Sequence, residues 1–139
     1  MAQFLRTATP DGDWRSFKFT HALGALTLTE GSIYQIEDSV GPLLLDIQYT
    51  SAGCKDAKTI VSGDEGVLIY HAEKVRVDKI ACIFNPGQKI FWSGVQGSPV
   101  TNVSASGYLW IGICVWPAAA SDSTVIIDLK GDKGTHPAG

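Results

Sequence analysis

The sequence has no basic block, no paired-cysteine motif and no apolar run of membrane length, and each absence removes a class of function. Eleven Lys and Arg against fourteen Asp and Glu leave a formal net charge of −3 with no local positive cluster, so the electrostatic footprint that holds nucleic acid is missing. The longest unbroken apolar stretch is far short of the roughly 20 residues of a membrane helix, and the N-terminus lacks the basic-then-apolar layout of a signal peptide. The expectation is a soluble protein made in the cytosol, with no nucleic-acid or membrane partner. Three cysteines, Cys54, Cys82 and Cys114, are too widely spaced for a zinc pair or a redox motif. Cys82 lies in Ile80-Ala81-Cys82-Ile83-Phe84 and Cys114 in Ile113-Cys114-Val115, so both read as buried free thiols behaving as small hydrophobes.

Catalytic patterns are also wanting. No segment matches G-x-x-x-x-G-K-[ST]; the nearest, Gly131-Asp132-Lys133-Gly134-Thr135, precedes the terminus rather than a helix. Val103-Ser104-Ala105-Ser106-Gly107 lacks the first glycine of a nucleophile elbow. His71 and Glu73 share a face of an extended chain, a spacing that suits a proton relay or two metal ligands, but no third partner is identifiable. His21 and His136 fall in the two terminal segments, poor places to fix a catalytic geometry. Asp11-Gly12-Asp13 lacks the rest of a calcium loop and reads as a turn. No catalytic residue, cofactor site or metal site is predicted.

What the sequence does contain is strand signal. Fifteen glycines and six prolines are spread along it, and no window of helical length carries an apolar stripe at i, i+3, i+4, i+7. Candidate strands follow one another at 26–29, 32–37, 43–49, 58–61, 67–70 and 74–83, the spacing of a small β-sandwich or barrel with little or no helix. Three more lie in a cassette from Asn85 to Leu129. Pro86 and Gly87 suit the centre of a type II turn; Ile90 and Trp92 then share one face, and Val125, Ile127 and Leu129 make another wholly apolar face. In Lys74-Val75-Arg76-Val77-Asp78-Lys79 the alternation requires one face to meet water.

The chain divides into an extended N-terminal arm at 1–22, a β domain at 23–131 and a flexible tail at 132–139. The arm is rich in Thr, Asp and aromatics, with one short strand that places Phe17 and Phe19 together. Burial of its apolar side chains does not offset the entropy of ordering it, so the arm is expected to order against a neighbouring surface and its removal, residues 1–20, to leave the domain folded. Of the four tryptophans, Trp116 precedes Pro117 in a turn and is expected to be exposed. The candidate partner contacts are Phe4, Leu5, Trp14, Phe17, Phe19 and Trp116.

From about Gly31 to Gly131 the chain resembles a group of small tailed-phage proteins often labelled recombinase-like and better described as capsid decoration, or cement, proteins. The resemblance rests on Pro86-Gly87-Gln88-Lys89-Ile90-Phe91-Trp92, on Ile111-Gly112-Ile113, on Ala118-Ala119-Ala120-Ser121-Asp122-Ser123-Thr124-Val125 and on Asp128-Leu129-Lys130-Gly131, in that order. It implies a compact β-tulip-like fold that binds the outer surface of a major capsid protein shell as a homo-oligomer, a trimer being favoured over a dimer, and no enzymatic residue. It also implies a location on the virion surface after synthesis in the bacterial host cytoplasm. Two departures are the long arm and Ser121-Asp122 in place of the usual Gly-Asp. Strand exchange driven by ATP, which the recombinase label suggests, needs a phosphate loop and a nucleic-acid surface that are both missing. A glycan- or receptor-binding module with exposed tryptophans is the competing expectation, and a small hydrolase built on His71 and Glu73 the third.

Overall fold

A computed structural model describes residues 11–44, 47–50, 53–56, 59–131 and 136–137, with side-chain environments for 13–44 and 59–131. Its strands are β1 (Asp11–Thr20), β2 (Leu28–Thr29), β3 (Ile33–Ile36), β4 (Ser39–Leu44), β5 (Ile47–Thr50), β6 (Gly53–Asp56), β7 (Thr59–Ile60), β8 (Glu65–Asp78), β9 (Lys89–Trp92), β10 (Leu109–Cys114), β11 (Thr124–Lys130) and β12 (His136–Pro137). There is no helix among the described residues, and the fold is a small all-β one in which a curled antiparallel sheet forms a half-barrel. Eight strands belong to that sheet, while β2 pairs with β7 and β5 with β6 in two small separate ones.

The 14-residue β8 organises everything else. One edge takes β1 along 65–74; the other takes β4 at Leu68 and Val67 and β11 from His71 to Asp78. From β11 the sheet continues through β10 to β9. It closes on itself through the segment after β9. Phe91 and Thr101 exchange two bonds of 2.8 and 2.9 Å, Val100 N–H donates to the Asp78 carbonyl at 2.9 Å, and Ile80 N–H donates to the Val100 carbonyl at 3.0 Å. The expected apolar face of β11 is real: Val125, Ile127 and Leu129 are buried, inside a cluster with Val75, Val77, Ile90, Trp92 and Ile111.

Where the sequence pattern suggests two strands, 67–70 and 74–83, the chain runs as one and stops at Asp78. Consecutive Arg15 and Ser16 face His71 and Ile69, so Tyr70 is an extra, bulged residue, and a second register shift falls between Ile127 and Leu129. A bulge flips the side-chain alternation without ending the ladder. Leu68 therefore enters a second core cluster, with Leu28, Tyr34, Leu43 and Ile60, while Ile69 and Ala72 belong to the first. The strand expected at 43–49 divides: β4 ends at Leu44, and β5 pairs elsewhere. At Gly41 the β4 backbone lies so close to β8 that a Cβ would stand 1.6 Å from the Ile69 carbonyl oxygen, which excludes every other residue there.

The arm is corrected by its described portion. Residues 11–20 are β1, laid along β8 of the same chain, and Phe17 and Phe19 pack on the second cluster at 6.3 Å between ring centroids. The intramolecular ladder supplies the backbone hydrogen bonds that side-chain burial alone lacked, so no external surface is needed to order this segment. His21 continues the join, donating to the Asp64 carbonyl at 2.8 Å and accepting from Gly63 at 2.9 Å through its backbone. In the segment expected to be a flexible tail, β12 pairs with Leu109 and Trp110 of β10.

Candidate interaction surface

Pro86 and Gly87 form the expected turn into β9: Gly87 has φ +88°, and Gln88 N–H donates to the Asn85 carbonyl at 3.2 Å. That turn is in one of three segments, the loop 80–88, residues 101–103 and the loop 115–123, that are tied together at one end of the barrel; beyond 103 the chain runs back to the start of β10, beside Trp92. Phe84 and Ala118 exchange two backbone bonds of 3.0 Å, joining the first loop to the third. The Asn102 amide joins the first to the second, donating to the Ile83 carbonyl at 2.9 Å and to Gln88 Oε1 at 3.2 Å. From beneath, Lys79, 6% exposed, donates its ammonium to the carbonyls of Ile80 and Cys82 at 3.0 and 2.9 Å.

This rim carries exposed apolar side chains and, at its third loop, the exposed Asp122, whose Oδ2 accepts the Ala119 N–H at 2.9 Å. Ile83 is 61% exposed, Val103 63% and Trp116 55%, and Ile80 also reaches the surface. From Ile80 to Ser121 the sequence holds one charged side chain, Lys89, whose ammonium sits 4.5 Å from the centre of the Trp110 ring. Ile83, Val103 and Trp116 are the large exposed apolar side chains of these tied segments, and they are the candidates for an interaction surface.

The other tryptophans are accounted for internally. Trp92 is fully buried with its indole N–H on the Ser98 carbonyl at 3.0 Å; Trp110 is half-buried and donates to the Gly112 carbonyl at 2.9 Å. Of the contact candidates, Trp116 is exposed, whereas Trp14 packs half-buried on the first cluster and Phe17 and Phe19 on the second. Those three serve their own core. Phe4 and Leu5 lie outside the described residues.

The catalytic and metal candidates do not converge. Glu73 Oε2 accepts the Asp13 backbone N–H at 3.3 Å, tying β8 to β1, and among the described residues no group of three or more His, Cys, Asp or Glu is placed to hold a metal ion. His71 Nδ1 is buried without a hydrogen-bond partner. His21 is a structural residue: its Nδ1 accepts from Leu23 N–H at 3.0 Å and its Nε2 bonds the Leu26 carbonyl, which fixes the turn after β1. A polar cleft of about 390 Å³ opens between residues 29–32, Arg76 and Asp78 of β8, and residues 123–124; hydroxyls, two carboxylates and the Arg76 guanidinium line it. Cys82 and Cys114 are free thiols; Cys114 is buried, while Cys82 is half-exposed and donates to Asn102 Oδ1 at 3.5 Å. Cys54 lies outside the described side chains.

Compared with protein-family models, with curated protein sequences and with solved structures, the chain matches none.

Proposed function

We propose that this protein is a non-enzymatic capsid decoration, or cement, protein that binds the outer surface of an assembled tailed-phage shell and stabilises it against the pressure of packaged DNA. The observation that carries the reading is the fate of the cassette that bears the resemblance. Its pieces form adjoining strands, β9, β10 and β11, together with the turn at Pro86-Gly87 and the loop at Ala118 to Ser123, which is to say one barrel wall and two of its three tied loops. A barrel end that exposes Ile83, Val103 and Trp116 on loops tied by hydrogen bonds suits binding to another surface. A protein that binds only the assembled shell shifts the assembly equilibrium towards it, by about 2.7 kcal/mol per site at a hundredfold excess over Kd.

The test is addition of the purified chain to expanded shells of the matching phage. Saturable occupancy at defined positions in cryo-microscopy, with a rise in the shell's melting temperature, is expected. Shells that neither bind the protein nor gain stability reject the proposal. The exposed Trp116 ring gives the glycan-binding alternative its one support, since an exposed indole stacks on a sugar face. Saturable binding to host surface polysaccharide, lost in Trp116→Ala and unaccompanied by shell binding, replaces the first reading with the second.

A further inference from the structure

The polar cleft beside β8 has a lining that selects its ligand. We infer that it binds a sugar residue, held through neighbouring hydroxyls by Glu30, Arg76 and Asp78 together with the hydroxyls of Ser32, Ser123 and Thr124.

Val75 and Val77 point into the core, so Arg76 and Asp78 project from the outer face of β8, and Asp78 lies directly across from Thr124 of β11. The turn between β2 and β3 stands against them as the opposite wall. Both walls are fixed by the fold itself. Thr29 N–H donates to the Tyr34 hydroxyl at 2.7 Å, Ser32 N–H to the Thr29 carbonyl at 3.2 Å and Gly31 N–H to the Leu43 carbonyl at 2.9 Å, while Lys79 N–H donates to the Ser123 carbonyl at 3.0 Å. Little ordering cost is therefore left for binding. Glu30, 3% exposed, and the half-buried Asp78 are already engaged within the fold, which orients them, and a carboxylate with two oxygens has acceptor sites to spare.

The mixture of groups decides the ligand. A phosphate brought here meets two carboxylates, a bare cation meets the Arg76 guanidinium, and an apolar molecule covers hydroxyls without giving them a partner. A sugar does none of this. Each of its hydroxyls both donates and accepts, so neighbouring ones give to the carboxylates and take from the guanidinium fork and the Ser and Thr hydroxyls. At about 390 Å³ the cleft is at the small end of ligand pockets, in keeping with a ligand as small as one sugar residue. Its lining includes no aromatic ring to stack on a sugar face, so the affinity is expected to be low.

The lining does not include Trp116, and the inference stands apart from the capsid reading. Its test is a nuclear magnetic resonance titration of the isotope-labelled full chain with glucose, galactose, mannose, rhamnose and N-acetylglucosamine. At least one of them is expected to shift the backbone amides of Gly31, Ser32, Ser123 and Thr124 saturably, with a Kd of about 1–10 mM. Arg76→Ala and Ser123→Ala should each raise that Kd, the first about tenfold or more. Both side chains are exposed, so each variant should keep its melting temperature. Trp116→Ala should leave the titration as it was. The trisaccharide of the best sugar forms a second arm: saturable shifts of the same amides at either length support the inference, and the tighter ligand tells whether the cleft takes a free sugar or a residue within a chain. Amides that no sugar shifts at up to about 100 mM overturn it. So do shifts that neither cleft variant weakens, binding that disappears in Trp116→Ala instead, or calcium or inorganic phosphate moving these amides where no sugar does.

Discussion

Cys114 and Lys79 show how single side chains set the end of the barrel. Cys114, on the inner face of β10, donates its thiol to the Trp116 carbonyl at 3.1 Å and so holds the residue whose ring stands in solvent. Lys79 buries a cation that its own loop solvates with two carbonyls, and Phe84 lies 5.2 Å below the ammonium. Neither role is written in a local pattern. Lys79 continues the alternation of Val75 and Val77 into the interior, and a sequence reader assigns such a position to an apolar residue; a loop that folds back to supply carbonyls is invisible until the chain is closed. For Cys114 the apolar neighbours were sufficient to indicate burial. That burial has a measurable consequence, because it pushes the thiol above its ordinary pKa. A raised folded-state pKa stabilises the fold fully below the unfolded thiol's value, about 8.5, and that contribution is lost as pH rises towards the folded value. Denaturant midpoints of the native chain should therefore fall more steeply above about pH 8.5 than those of Cys114→Ala. Parallel curves for the two proteins would show that the thiol does not titrate with unfolding.

Among the elements, β11 was legible because its period-2 pattern is unbroken and β9 because the Pro86-Gly87 turn announces an apolar run, and β8 was divided in two because its bulges break that pattern while leaving its ladder intact. β1 was half legible. Phe17 and Phe19 announced a strand, but nothing local says which edge a strand joins, and the missing partner was some fifty residues away in β8 rather than on another molecule. This changes what truncation does. Removing residues 1–10 leaves β1 and all its pairings with β8 in place, and the melting midpoint should stay within about 4 °C of the full chain. Removing residues 1–20 strips an edge from β8 and takes away Trp14, Phe17 and Phe19. Half-buried, these side chains contribute less than the value for full burial, about 1.5–3 kcal/mol each, but with the lost β1–β8 ladder the loss is large against the net stability of a domain, about 5–15 kcal/mol. The shorter chain should lose its cooperative melting transition and aggregate. A soluble, cooperatively melting chain lacking 1–20 would mean that β1 is an accessory strand after all.

At the scale of the molecule, all-β architecture followed from the absence of any helical stripe, together with regularly spaced turns. The rim did not follow, since its three loops are distant in sequence and meet only when the barrel closes. A signal for it was nonetheless present: the stretch from Ile80 to Ser121, with Lys89 as its sole charge, is far poorer in charge than the rest of the chain. Segregation of that kind is a property of the whole chain, and motif-by-motif reading passes over it.

The pairing of β1 with β8 also has a meaning in time. A chain emerging from the ribosome presents Phe17 and Phe19 long before Leu68 and Gly66, the residues they face, have been made. Until then the first strand has no home, and its docking waits on loop closures that are intrinsically slow. We expect β1 to join after the folding transition state, so that Phe19→Ala accelerates unfolding while leaving the refolding rate nearly unchanged in stopped-flow measurements. Slower refolding with unaltered unfolding would place β1 in the nucleus. If it docks late, the nascent protein spends its first moments with two phenylalanines uncovered, and its yield in the cell depends on how quickly β8 is made.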